Sequence, residues 1–544
     1  MRETSFGEPA EGLYKRLTAK RTGVVSIGRR LAALTIPSVF PPENYDTSHD
    51  SLEIANQSIN AYLVNSLSNT LMLTALPPNL PMCKYSLNEV ALQGDIEQDG
   101  ELYSETNYAL SRREEVHRTR IENTSARDVY SSWMRLSIVT GNGLCIWTDI
   151  NAPVVYNLHN WVTVRDAKGT PLVTILEDTI SLAAADEDVA DAVIQHRTDT
   201  NRSVDAEKTE WEDTATIYHC QKIVKNDKGE NEFLYWQETE GGYAIPGTEF
   251  YSPFDVPPMY PYGMILETGS DYGLGYCSDY EGDLKAVEEL SASFQDGAAA
   301  LAWFLYFVDP TGQTNIRDVE NADNLDVLPG RADDVSTLGS EKSSELSVVD
   351  SAIEKVARRL GMAFASEASI QRNGERVTAE EWKRMAMALD KAMGGLYSKM
   401  AQGPQRWFIL RFIHLHHQEE KRLKKLPADL VKVNVVTGLE GIGQSSDYAA
   451  LIDVAKDVSE LLGPEGLRAE INGSDLIRRL LTYRSIKADG LVKSDDQKAQ
   501  EASDNQSQQQ QQAVLEKASA PVASGGMEML MQMMQQQGNQ DVPN

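Results

Sequence analysis

The densest group of potential metal ligands in the sequence is His414, His416 and His417, followed by Glu420. His414 and His417 lie three residues apart, so a helix would place them on one face, with Glu420 one step further along. A metal site would need more donors close by, and no cysteine or aspartate stands beside these histidines. The pattern therefore reads as a polar helix face next to the basic run "KRLKK" (Lys421 to Lys425). The cysteines Cys83, Cys145, Cys220 and Cys277 are widely spaced and form no C-x-x-C pair, which points to reduced, buried thiols. A Walker A loop, a G-x-S-x-G elbow and an H-E-x-x-H helix are all missing, and "GLEGIG" (Gly438 to Gly443) has the wrong glycine spacing for a dinucleotide loop. One polar stretch stands out instead. Arg372 and Arg376 bracket Asn373, Gly374 and Glu375. Two guanidinium groups on a flexible loop suit phosphate oxygens, although Glu375 between them can neutralise one. These residues point to contact rather than catalysis, and no enzyme is expected.

The elements that would carry this loop follow from periodicity. Asn373-Gly374 is a turn pair, and Thr378 with Glu381 makes a capping box that opens a helix. That helix carries Trp382, Met385, Leu389, Met393, Leu396, Tyr397 and Met400 on one face. Gly394-Gly395 predicts a kink in it, and Gly403-Pro404 predicts its end. Ahead of the loop, two helices flank a polar, turn-rich insertion. The first starts at a capping box of Ser278 and Glu281, with Tyr280, Leu284, Val287, Phe294, Ala298 and Leu301 as its stripe. The second starts near Ser351 with Glu354, and its stripe is Ile353, Val356, Leu360 and Phe364. If both return to one base, they form a hairpin with the insertion at its tip.

Upstream, Ile59, Leu63, Leu67 and Leu71 mark a helix stopped by Pro77-Pro78, and "LTIPSVFPPEN" marks a turn before it. A charged helix is expected over 109–125. From Val129 to Ile180, and again from Ala215 to Ile245, β-branched and aromatic runs are broken by turns at "DAKGTP" and "NDKGEN", so strands and hairpins are expected. An acidic helix and loop separate them. The Pro- and Tyr-rich segment from Tyr251 reads as an irregular connector. Past the histidines come a strand at "DLVKVNVVTG" and helices from Asp447 to Arg484, and the Gln-, Ser- and Met-rich end reads as a flexible tail. The fold class is α+β, mostly helical.

Bulk properties narrow the function. The 544 residues allow several cores, and 41% hydrophobic with 24% charged describes an ordinary globular composition. No run approaches the roughly 20 apolar residues of a membrane span, no apolar signal core opens the chain, and cytoplasmic synthesis is the expectation. A net charge of -30 argues against tight wrapping of nucleic acid, whose affinity comes from neutralised phosphates. It remains compatible with a wall past which DNA slides.

"RNGERVTAEE" followed by "GGLYSKMAQ", together with "LTIPSVFP" before them and "VVTGLEGIGQSSD" after them, resembles in content and order the portal (head-to-tail connector) proteins of T7-like short-tailed bacteriophages. The likeness runs from about Leu34 to Asp447. It implies a portal fold of wing, stem, clip and crown, assembled as a twelve-subunit ring with a central channel. It assigns 1–278 to the wing, 279–302 and 351–367 to the stem helices, 303–350 to the clip, and 368–377 to a tunnel loop holding Arg372, Asn373, Gly374, Glu375 and Arg376. The kinked helix and wing return follow over 378–444, then the crown over 445–491 and the tail over 492–544. The implied partners are further copies of the chain, the terminase large subunit, tail adaptor and nozzle proteins, major capsid, scaffolding and internal core proteins, and double-stranded DNA held without sequence preference. No membrane, cofactor or metal is implied. The implied location is the capsid vertex of a virion made in the bacterial cytoplasm. The competing readings are another ring-forming virion protein, such as an adaptor or scaffold, and a nucleic-acid-processing enzyme.

Overall fold

The computed structural model describes residues 6–46, 48–77, 82–87, 100–151, 153–185, 187–199, 213–301, 305–322, 327, 329–338, 343–366, 393–419, 431–435 and 451–461, with a few single positions beyond. The chain forms two units, Met1–Gly443 and Gln444–Asn544. In the second, residues 451–461 are helical. The first mixes helices and strands.

It opens with α1 (Ala10–Leu34), a 3-10 turn at Pro37–Val39 and α2 (Ile59–Ala75), followed by β1 (Cys83–Leu87) and α3 (Gly100–Glu122). The stripe read in α2 is real, because Leu63, Leu67 and Leu71 are buried. The charged helix starts nine residues earlier than expected. Next comes α4 (Ala126–Thr140), where strands were expected from Val129. The β-branched run Ile138-Val139-Thr140 suggests a strand, but Tyr130, Trp133, Met134 and Ser137 recur at helical spacing and all are buried. Packing on one face outweighs propensity. Gly141 stops the helix in the left-handed region, at φ 80°, where a Cβ would meet the Leu274 carbonyl carbon at 2.2 Å.

The strands β2 (Asn142–Ile146), β3 (Val154–Tyr156), β4 (Trp161–Arg165) and β5 (Pro171–Ser181) lead to α5 (Glu187–Asp199), then β6 (Thr214–Lys225), β7 (Asn231–Thr239), β8 (Phe250–Pro253) and β9 (Met259–Gly263). An antiparallel five-stranded sheet runs β4-β5-β6-β7-β8, and a three-stranded sheet runs β3-β2-β9. The segment from Tyr251 was expected to be irregular, yet it supplies β8 and β9. Pro261 sits opposite Leu144 on an edge strand, where a missing N–H costs no ladder bond. The N-terminal half of α1 packs Leu13, Tyr14 and Leu17 on the larger sheet, against Val162, Tyr218 and Trp236. The other half joins the main core through Leu31 and Ala32.

After a 3-10 turn at Tyr276–Tyr280 comes the hairpin: α6 (Glu281–Leu301), β10 (Leu305–Val308), α7 (Ile316–Glu320), β11 (Val335–Leu338) and α8 (Ser343–Ala363). β10 pairs with β11. The chain is next described at α9 (Gly395–Met400), a π-helical turn at Ala401–Gln405, α10 (Arg406–Glu419) and β12 (Val431–Val435), which pairs antiparallel with β1. Gly403-Pro404 was expected to close a helix. It lies instead inside the π turn, whose widened backbone accommodates a proline that cannot donate, and the helix runs on into α10.

Candidate functional site

The hairpin is rooted in the body by aromatic packing. Tyr276 lies 5.3 Å from the Phe364 ring and 5.2 Å from Tyr280, and its hydroxyl donates to the Ala363 carbonyl at 2.9 Å. Leu284, Val287, Leu360 and Phe364 are fully buried there. Ion pairs surround the root. Arg359 of α8 grips Asp283 of α6, and Arg30 of α1 grips Glu281, with the nitrogen–oxygen distance 2.5 Å in each. The Arg30 hydrogen bond holds the Glu281 carboxyl below the usual range. Glu288 accepts from the Asn56 backbone and side chain and from the Gln57 amide. Further out, α6 and α8 stay close because Gly297 faces Leu346; a Cβ there would meet Leu346 Cδ2 at 2.8 Å.

Two expected capping boxes do not form. Ser278 sits within the 3-10 turn, its buried Oγ has no partner, and Glu281 is committed to Arg30. Ser351 is an exposed mid-helix residue, since α8 begins at Ser343, eight residues earlier than read. The apolar spacing of Leu346, Val349, Ile353 and Val356 carries the helix back through a serine-rich stretch.

Arg372, Asn373, Gly374, Glu375 and Arg376 lie outside the described residues, as do the Thr378–Glu381 box, Glu420 and the Lys421–Lys425 run. The two ends that flank the loop are described. On the α8 side, Ala365 adopts φ 53° and the Ser366 hydroxyl donates to the Gly361 carbonyl at 3.1 Å. On the far side, Met393 is helical, Gly394 takes φ 54° and ψ -132°, and α9 starts at Gly395. Phe364, Ala365, Met393 and Tyr397 all belong to the main core. Both described ends that flank 367–392 are thus anchored in the main core.

The histidines are not a polar face. His416 is 1% exposed, and its Nδ1 lies 2.8 Å from His117 Nδ1. His117 Nε2 in turn meets the Tyr85 hydroxyl at 2.9 Å. Arg113 donates to His417 Nε2 at 2.6 Å, while half-buried His414 meets Gln418. Burial, then the neighbouring His416, His417 and Arg113, push His117 down to about 3, so it is neutral near pH 7. One imidazole must donate and the other accept across the Nδ1–Nδ1 contact. The cluster fastens α10 to α3 and β1, and a guanidinium beside it disfavours a metal cation. Nothing local in the sequence announces this, because Tyr85 and His117 come about 300 residues before His416. All four cysteines are free and buried, and burial raises each thiol.

Residues 8–492 match the family described as bacteriophage head to tail connecting protein. The portal protein of Enterobacteria phage T3 is 30% identical over 502 residues, covering 91% of this chain and 90% of its own length. That of Escherichia phage T7 is 28% identical, covering 90% and 89%. A chain from the virion of a native gene transfer agent particle aligns over 85% of this chain at 10% identity, with a TM-score of 0.32, a likeness too loose to bear on the fold. The hairpin rooted in an α+β body lies wholly within the matched span, and the chain belongs to the bacteriophage head-to-tail connecting protein family.

Proposed function

We propose that this chain is a portal subunit: twelve copies form a ring at one capsid vertex, and DNA passes through its channel during packaging and ejection. The observation that carries this reading is the match to the T3 portal protein, which spans about nine-tenths of both chains. The remaining assignments follow from it. α6 and α8 are the stem, and the insertion carrying β10 and β11 is the clip, on which the terminase motor docks before tail adaptor and nozzle proteins replace it. Capsid, scaffolding and internal core proteins meet the wing and crown. Residues 368–377 form the tunnel loop, and Arg372 and Arg376 brush the phosphates. A net charge of -30 keeps the wall from gripping DNA, since each neutralised phosphate would steepen the hold. The chain performs no chemistry of its own.

Negative-stain microscopy of the purified chain tests the ring. A disc with a central hole and a narrow stem is expected, and a population of globular monomers would overturn the reading. For the loop, the double change Arg372→Ala and Arg376→Ala should leave assembly intact and alter packaging or DNA retention. Unchanged packaging and retention would remove both arginines from the channel.

A further inference from the structure

The chain holds 81 aspartates and glutamates against 51 lysines and arginines, and the fold turns many of the cations to its own use. Arg21 and Arg411 are buried and donate to backbone carbonyls, the first to Trp161 and His159, the second to Trp147 and Val256. Arg165 donates to the carbonyls of Asp271, Gly169 and Pro261. Nearer the surface, Arg16, Arg30, Arg118, Arg197, Lys285 and Arg359 each form an ion pair with a carboxylate of the same chain. The carboxylates left over are spread. Glu53 ahead of α2, Asp191 on α5, Asp255 after β8, Glu267 after β9, Asp296 on α6 and Asp350 on α8 are all exposed, and none is ion-paired with a described residue. The surplus therefore belongs to the surface as a whole and not to one patch.

A net charge far from zero keeps copies of a protein apart. The repulsion reaches across about 8 Å at 0.15 M salt and about 30 Å at 0.01 M. Each copy that joins a ring meets copies that already carry -30 apiece. Ion pairs between copies cannot offset this in full, because every copy brings 30 more carboxylates than cations. The remaining source of positive charge is the solution. A protein that binds nucleic acid releases cations and loses affinity as salt rises. Joining acidic copies does the reverse: it takes cations up, and it strengthens as salt rises.

We propose that assembly of this chain is coupled to the uptake of small cations, multivalent ones above all, so that the ionic surroundings act as the switch between single copies and the closed ring. This rests on the ring reading above. The uptake is diffuse, because the surplus carboxylates lie on separate elements. It screens repulsion between neighbours whichever faces they present to each other.

Mass photometry of the full chain tests the coupling. As sodium chloride rises from about 0.02 to 0.5 M, the fraction of chains in rings should grow by about tenfold or more. Magnesium chloride, and separately spermidine, should each reach the same fraction at a several-fold lower ionic strength. A variant separates charge from apolar contact. Glu53→Gln, Asp191→Asn, Asp255→Asn, Glu267→Gln, Asp296→Asn and Asp350→Asn together remove six charges, from -30 to -24. The variant should keep the wild-type circular dichroism spectrum and reach its assembly midpoint at lower salt. Rings that form equally at every salt concentration, or that dissolve as salt rises, would overturn the coupling and leave the ring standing. A folded variant with the wild-type midpoint would overturn it as well, since salt would then act on apolar contact alone. Rings that need magnesium and ignore spermidine would replace diffuse uptake with a specific metal site. A chain that stays monomeric throughout would overturn the ring reading, and the coupling with it.

Discussion

The body and the stem are both helical, but they meet their apolar needs in opposite ways. In the body, the Trp133 ring is 0% exposed and lies 5.6 to 6.1 Å from Trp407, Tyr262, Tyr260 and Tyr130, while its Nε1 donates to the Gly143 carbonyl. Trp147 packs on Phe408 and Phe412. Even the cation Arg411 is enclosed, donating to the carbonyls of Trp147 and Val256 and to the Ser252 hydroxyl. Its burial pulls the guanidinium down to about 10. In the stem, the α6 stripe of Leu284, Val287, Phe294 and Ala298 is buried only at its first two members. On α8 only the end near Leu360 and Phe364 is covered. Isolated helices gain little from propensity, and tertiary packing holds most of them. The body therefore completes its core within one chain. The outer stem leaves its packing surface on offer.

The largest expected effect tests the self-sufficient side. Trp133→Ala removes a fully buried aromatic ring and orphans the Gly143 carbonyl, and should destabilise the chain by about 3–5 kcal/mol. Denaturant titration of the purified chain measures this. A loss under about 1 kcal/mol would mean that the body core tolerates a cavity at its centre, and the contrast with the stem would fail.

A smaller effect concerns the polar tie beside that core. Glu114 accepts a hydrogen bond from the Tyr85 N–H at 2.7 Å, and burial raises its carboxyl from 4.5 to about 7, opposed by that bond and by Lys84. The folded chain then holds a proton that the unfolded chain has lost, so stability falls as pH rises through this window. His117, one turn along α3, acts the other way. It is neutral when folded down to about 3 but titrates at 6.5 when unfolded, so stability falls as pH drops below 6.5. Between pH 4.5 and 6.5 the two slopes oppose each other, each at most about 1.4 kcal/mol per pH unit. The wild-type chain should be nearly flat there. Glu114→Gln removes one slope, and the variant should lose stability steadily as pH falls from 6.5. A variant as flat as the wild type would show that His117 is not held neutral in the fold.

The histidine tie also shows where sequence reasoning reached its limit. Turns were legible because their chemistry is local. The Asp166 carboxylate accepts from the N–H groups of Lys168 and Thr170, and Asn226 does the same for Lys228 and Glu230, so both hairpins declare themselves within five residues. The stripe of α2 was legible for the same reason. The pairing of Cys83 with Val435 was not, because a strand shows its own pattern but not its partner. The histidines were misread because burial was decided by Tyr85 and His117, far away in the chain. Ser351 was misread as a cap because a serine on an exposed helix face has the same local signature as one at a terminus. Of the candidate loop, the sequence supplies residue types and a resemblance, and the described structure supplies only the two flanking ends, both anchored in the main core.

The smallest expected effect isolates the stem. Met362 is 58% exposed on α8, two residues from each of the fully buried Leu360 and Phe364 and so on the opposite face. Met362→Ser removes apolar surface that the single chain leaves in water, so folding of that chain should change by less than about 0.5 kcal/mol. The same change on the buried side of α8, Leu360→Ala, should cost about 2–5 kcal/mol. The pair thus compares two faces of one helix in one experiment, with length, capping and propensity nearly constant. If Met362→Ser destabilised the isolated chain as much as Leu360→Ala, both faces would be closed within the subunit, and the stem would have no face left to give a neighbour. If only the inner change acts on folding, the outer stripe is free to be spent on assembly, and any effect of Met362→Ser on ring formation reports contact between subunits rather than damage to the fold.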